Sequence, residues 1–446
     1  MKCFNSVQKI YIIIINGIAS ISSGIPETAR SLVKRASVDI LLLIGVLKYC
    51  SRDIKMITHF YEWSLILGSL ILVMFVIAGI EKKEYTVNED INKTFWAGWL
   101  LCFFWMLGMS FIHPVEDVYF VWALLSLLLF PLLYIVWGQN DGMKAMFDMV
   151  AVRTVAVAYI FILLSIIIVP FINKEQVMVT TDYLGLAGNP NHNGMLSTGF
   201  YAAALYMLFS DKKRPFIYLL LMGICISLSV ISVTRASVLA IIMESAAAVI
   251  YLFSRKSRNN RTGKLLIQIL VAVVIMTIIA VAAGLVLKII DNACLSVYAE
   301  AEDATAEEQV QKLDHLSSGR VEIWREYIKR STFFGNGWSV EPVIEGRHDS
   351  RWAHNTIVEI LYISGVPACV GYIIWLGACL VFIIRSIFDR NGFRMERLFS
   401  MLAISGYFAE AMLEVTIFPM TTGLAFLALL GMIPVANSGR EAFNFK

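Results

Sequence analysis

Charge is scarce in this 446-residue chain: Asp, Glu, Lys and Arg make up 16% of it, against about a quarter in soluble domains. With 58% apolar residues and a mean hydropathy of +0.71, that shortage excludes a water-soluble fold. Also missing are the ~10-residue segments of alternating apolar and polar residues that would mark an outer-membrane barrel. The seven cysteines form no disulfide framework and no Cys/His zinc spacing. Most of Cys3, Cys50, Cys102, Cys225, Cys369 and Cys379 sit in or beside apolar stretches, and Cys294 alone lies in a charged loop. No small-residue cleavage site follows the apolar N-terminus, from about Ile10 to Ile25, which reads as a retained span or interfacial helix.

What the chain has instead is a series of apolar windows of roughly 18 to 25 residues, the length that carries a helix across a ~30 Å hydrocarbon core. They fall near residues 8–25, 37–50, 61–80, 94–112, 118–137, 149–172, 193–210, 215–233, 237–254, 265–290, 355–384, 397–417 and 419–436. The expected count is twelve or thirteen, because 37–50 is short for a full crossing and could be re-entrant or tilted. The fold class is therefore an all-α polytopic membrane protein with one large loop. Residues 1–290 would form an N-terminal bundle with polar turns near 180–193 and 234–237. Residues 291–353 would form the loop, and 354–446 the C-terminal helices.

Loop charge sets the expected orientation, whereas the net charge of +3 says little. Arg255, Lys256, Arg258, Arg261 and Lys264 form a run without an acid, and Lys212, Lys213 and Arg214 form another. Both runs, with Arg385, Arg390, Arg394 and Arg397, belong on the cytoplasmic side. Span alternation then puts 173–192, 234–236 and 291–353 outside and the C-terminus inside. The large loop is rich in acids, including Glu300, Glu302, Asp303, Glu307 and Glu308, which suits an external position.

Three polar groups gather on that external face. Gly188-Asn189-Pro190-Asn191-His192-Asn193-Gly194 is either a plain turn before a span or a set of neutral donors and acceptors suited to a hydroxyl-rich ligand. Arg235, in Ser232-Val233-Thr234-Arg235-Ala236-Ser237, could snorkel to the interface. A cation on this side nevertheless needs a reason, and a lipid phosphate or diphosphate held in a bidentate fork supplies one. The third group opens at Ser318-Gly319-Arg320 and continues as Val321-Glu322-Ile323-Trp324-Arg325-Glu326-Tyr327-Ile328, which reads as an amphipathic helix lying on the membrane with an aromatic stripe for packing. A turn follows at Phe333-Phe334-Gly335-Asn336-Gly337-Trp338, then Arg347, His348, Asp349 and Arg351, then His354-Asn355 at the start of the next span. His354 is either a polar helix start or a base, since an imidazole titrates near neutrality and can take a proton from a sugar hydroxyl. Glu359, Glu410 and Glu414 are ionisable groups in apolar spans that could simply pair with arginines.

These marks resemble the O-antigen ligase and Wzy-type polymerase superfamily of bacterial membrane glycosyltransferases. The likeness rests on Asn189-Pro190-Asn191, on Thr234-Arg235-Ala236 in place of Ser-Arg-Gly, and on Ser318-Gly319-Arg320 with Trp324. Gly335-Asn336-Gly337, His354-Asn355, Gly365 and Gly371 complete it, over about residues 180 to 385. The resemblance implies a GT-C-like fold in the cytoplasmic (inner) membrane. Its donor would be an undecaprenyl diphosphate-linked glycan and its acceptor another glycan. A chain-length regulator and a flippase would be further partners, with the bilayer and no nucleic acid. It implies His354, Arg235 and Arg320 as catalytic residues, with Asn189, Asn191, His192, Arg347, Arg351 and Asn355 binding substrate. The chain lacks an Asp-x-Asp pair, so the expected reaction is a metal-independent, cofactor-free, inverting displacement. Polymerisation of repeat units is preferred over ligation of a finished glycan to a lipid or protein. A lipid-linked glycan transporter is the alternative from another class, disfavoured because no internal repeat is visible and the polar residues cluster at one face.

Overall fold

The structure, a computed structural model, describes residues 2–22, 24–50, 60–113, 118–172, 185–187, 189–232, 234–253, 320–337, 342–388, 394–415 and 425–439. These form helices and connecting turns, with no strand among the described residues. The helices are α1 (Lys2–Ser22), α2 (Glu27–Cys50), α3 (Phe60–Gly79), α4 (Lys93–Ile112), α5 (Val118–Gly138), α6 (Met143–Ile172) and α7 (Pro190–Ser210). They continue as α8 (Pro215–Ile231), α9 (Arg235–Phe253), α10 (Arg320–Arg330), α11 (Thr356–Phe388), α12 (Met395–Ala411) and α13 (Ala425–Ala436).

Every expected apolar segment except 265–290 coincides with a helix; 265–290, the basic run 255–264 and the acidic stretch 300–308 lie outside the described residues. Four helical stretches are long and apolar enough to cross a membrane by length and composition: Lys93–Ile112, Phe120–Gly138, Met143–Ile168 and Thr356–Ile387. Shorter apolar stretches occur at Ser6–Ser20, Ile66–Gly79, Pro215–Val230 and Phe426–Ala436. The protein is an all-α polytopic membrane protein.

Three expectations change in detail. The short segment 37–50 is the apolar part of α2, a helix of 24 residues, whose first turns carry Arg30, Lys34 and Arg35 and so escape a hydropathy reading. The segment expected at 397–417 stops being helical at Ala411, which leaves Glu414 beyond the helix end. The amphipathic helix of the loop, α10, turns its apolar face to the protein: Ile323 and Tyr327 are buried with Val343 and Ala353, and the Tyr327 ring meets that of Tyr362 at 4.7 Å.

Small residues set the closest approaches, as expected where helices have lipid-like surroundings and gain little from the hydrophobic effect. A Cβ added at Gly98 of α4 or at Gly371 of α11 would overlap the other helix's backbone. Around this contact Phe95, Trp99, Phe103, Phe130 and Trp375 stack edge to face and tilted, with centroids 5.8 to 6.5 Å apart. Gly194 of α7 likewise leaves no room beside Thr234 and Ser237 at the start of α9.

Helix α11 is broken. Gly365 has φ 84° and ψ −177°, and Pro367 follows it inside the helix, so the carbonyls before the break lose their usual donors. In a bilayer each unsatisfied backbone group costs several kcal/mol. The turn after α10 supplies the donors: the Asn336 amide donates to Tyr362 O at 2.8 Å, and the Gly337 amide to Ile363 O at 3.0 Å. Val366 N–H donates back to Phe333 O at 3.0 Å. Gly335 and Gly365 both have positive φ, and a side chain at either would overlap the other strand of this contact. Gly365→Ala is therefore expected to lower stability by about 1–3 kcal/mol. Thermal melting in detergent checks this, with Gly377→Ala, where nothing lies within 4 Å of an added Cβ, expected to melt close to the parent.

Candidate functional site

Helices end with unpaired carbonyls, and the end of α12 shows where this protein satisfies them. The Asn355 amide donates to Met412 O at 2.9 Å, the Arg320 guanidinium donates to Leu413 O, and Thr356 Oγ1 donates to Glu414 O at 2.9 Å. Three side chains from α10 and the start of α11 thus converge on one turn.

The Glu414 side chain in that turn is the centre of the cluster. Its Oε1 accepts from Arg320 Nη2 at 2.7 Å and its Oε2 lies 3.2 Å from His354 Nδ1. Burial works to raise the Glu414 pKa, but the hydrogen bond with His354 and the charge of Arg320 prevail and hold it below the ordinary carboxylate value. An ionised carboxylate accepts only, so His354 Nδ1 is the donor in this pair.

His354 is the sole non-glycine with positive φ among the described residues, at 49°. Such a conformation persists when its surroundings over-determine it, and here both sides of the preceding residue are held. Ala353 N–H donates to Glu359 Oε2 at 2.7 Å, and Trp324 Nε1 donates to Ala353 O at 2.7 Å. Asn355 caps α11, its Oδ1 accepting from the amides of Ile357 at 3.0 Å and Val358 at 3.1 Å.

The other expected residues reach the same end of the bundle by helix direction. Tyr251 bonds the backbone of Arg394 at 3.1 Å, while Glu244 meets Gly406, so α9 and α12 are antiparallel. Tyr201 Oη meets Ser245 Oγ at 2.6 Å and Gly194 meets Ser237, so α7 and α9 are parallel. Arg235 at the start of α9 and Asn189 at the start of α7 therefore stand at the Glu414 end. Arg235 is exposed. Asn189 caps α7, accepting from the Asn191 amide at 2.9 Å, and the His192 ring lies 4.4 Å from that of Tyr49. Arg347 pairs with Glu322 of α10 at 2.9 Å, and Arg351 is exposed at the end of the 3-10 turn His348–Arg351.

Direct bonds thus unite His354, Arg320 and Asn355 at the α12 end, while Asn189, Asn191, His192, Arg235, Arg347 and Arg351 stand around that end. Glu414 was legible only as an ionisable residue in an apolar stretch; its pairing with an arginine was among the readings of it. Nothing in the sequence marked Tyr49 as a neighbour of His192.

A family model described as O-antigen ligase matches residues 217–373. The match contains Arg235, Arg320, Arg347, Arg351, His354 and Asn355, and it supports a glycan-transfer function of the O-antigen ligase and Wzy type. No curated protein matches the chain.

Arg320 and Glu414 are both largely buried, with side chains 17% and 12% exposed, so removing one partner strands the other. Glu414→Ala is expected to lose about 3–5 kcal/mol, and Arg320→Ala with Glu414→Ala together less than the sum of the two, read by thermal melting as a double-mutant cycle. The lowered carboxyl pKa gives a sign for pH. The contribution is complete above the unfolded glutamate value of about 4.3 and is lost as pH falls through the lower folded value. The stability gap between the parent and Glu414→Gln is expected to close in that acid range.

Proposed function

We propose that this protein is a membrane glycosyltransferase that polymerises undecaprenyl diphosphate-linked repeat units at the outer face of a bacterial cytoplasmic membrane. The observation that carries the reading is the Arg320–Glu414–His354 cluster, with Arg320 and His354 inside the segment that matches the O-antigen ligase family. Glu414 accepts a hydrogen bond from the Nδ1–H of His354, which fixes the tautomer whose Nε2 bears the lone pair. That nitrogen takes the proton of the acceptor hydroxyl as the hydroxyl oxygen bonds to the donor's anomeric carbon. The bond from that carbon to the lipid diphosphate breaks, and its electron pair stays with the departing diphosphate oxygen.

Negative charge then grows on the diphosphate, and Arg235 is the cation best suited to meet it, being exposed at a helix start. Arg351 is a second exposed cation in reach of the same face. Arg320, with Leu413 O and Glu414 on its two terminal nitrogens, acts through Glu414 on His354. Asn191 and His192 beside Asn189 would receive sugar hydroxyls, and Arg347 would hold the loop to α10 through Glu322. The description of the matching family favours transfer of a finished glycan instead, and the two readings differ in their products.

The test is elongation of synthetic undecaprenyl diphosphate repeat units by purified protein in the presence of a chelator. Elongation is expected from the parent. His354→Ala and Arg235→Ala are expected to lose about 100-fold or more while remaining folded. A strain lacking the protein is expected to accumulate single repeats; long carrier-linked chains there would instead mean a ligase, and activity restored only by magnesium or manganese would refute metal independence.

A further inference from the structure

One helical turn inward from Glu414 lies a polar feature that glycan transfer does not use. Glu410 of α12 and Glu244 of α9 line one small cavity of about 20 Å³, together with Thr198 and Gly199 of α7, Ala202, Ala403, Tyr407 and Leu427. Glu244 is 1% exposed and Glu410 8%. Glu244 Oε2 and Glu410 Oε1 are buried and have no hydrogen-bond partner. Among the described residues, no basic side chain lines the cavity. The sequence makes room for this arrangement, since a side chain at Gly406 would overlap Glu244 Oε1.

Three physical points narrow what belongs between the two acids. Two carboxylates in a low-dielectric bundle with no cationic side chain beside them carry a desolvation cost of several kcal/mol each, which an opposite charge offsets. The cavity that both acids line is large enough for one water-sized occupant. Thr198 bonds Gly194 O at 3.2 Å and also hydrogen-bonds the Glu410 carboxyl, which places a third side-chain oxygen at the cavity. Calcium wants six to eight oxygens and magnesium keeps several waters, more than this space and ligand set provide.

We propose that the cavity binds one small monovalent metal cation of sodium size, held between Glu244 and Glu410 with Thr198 as a further oxygen ligand. The ion ties α7, α9 and α12 together directly beneath the turn that carries Glu414. This site stands whether or not the glycan-transfer reading holds.

The test is equilibrium binding of radiolabelled sodium to the purified full-length protein, with melting temperature followed in sodium chloride against choline chloride at equal ionic strength. Saturable binding with one ion per chain and a sodium-dependent rise in melting temperature are expected. Both are expected to be lost in Glu244→Gln and Glu410→Gln, which keep side-chain shape, and binding is expected to weaken in Thr198→Val. Absence of saturable sodium, lithium or potassium binding to the folded parent overturns the proposal, whatever the variants do. Binding that survives in either folded glutamine variant overturns it as well.

Discussion

The carbonyls at the end of α12 set the terms for everything around the candidate site. In a membrane protein a helix cannot simply stop, because its last oxygens must find donors. Here Asn355, Arg320 and Thr356 supply them, and each belongs to a segment distant in sequence from Met412–Glu414. Satisfying the helix end and assembling the site are therefore one event. The same guanidinium that answers Leu413 O reaches Glu414 Oε1, and the carboxylate so held orients His354.

A second interruption serves the first. Gly365 and Pro367 break α11 so that its initial segment, from Thr356 to Ser364, is a short piece presenting His354 at its mouth. The freed carbonyls of Tyr362 and Ile363 take their donors from the Phe333-Phe334-Gly335-Asn336-Gly337 turn, which fixes α10 and with it Arg320 and Trp324. Trp105 of α4 stacks on Phe334 with centroids 6.1 Å apart, so the turn is held from both sides. Beyond the break, Gly371 and the aromatic cluster lock the remainder of α11 to α4. A rigid long helix and a broken one thus support a site built from helix ends, where polar groups are available without exposing backbone to lipid.

Much of this was legible in the sequence for a simple reason. Apolar run length reports helices in lipid directly, so the segments at 94–112, 118–137 and 149–172 fell within a few residues of α4, α5 and α6. The same rule misjudged α2, because Arg30, Lys34 and Arg35 interrupt the hydropathy of a helix that is nonetheless continuous. His354 stood out at the start of a span and Arg320 at the head of the amphipathic stretch in the loop, yet their meeting through Glu414 did not. That contact joins residues 94 and 60 positions apart, and sequence patterns carry no signal for such closures. Gly335, Asn336 and Gly337 announced a turn, whereas Gly365 was only one mark of the family likeness; the structure alone shows that the turn and the break complete each other's hydrogen bonds.

Glu414 lies late in the chain, and this has a bearing on biogenesis. Membrane helices are made and inserted from the N-terminus onward, so Arg320 and His354 emerge while their common partner is still unsynthesised. During that interval the imidazole lacks its orienting carboxylate and the guanidinium its counter-ion. The cluster closes when α12 has been threaded and its final turn is docked, which makes completion of the chemical machinery a readout of the insertion of α12.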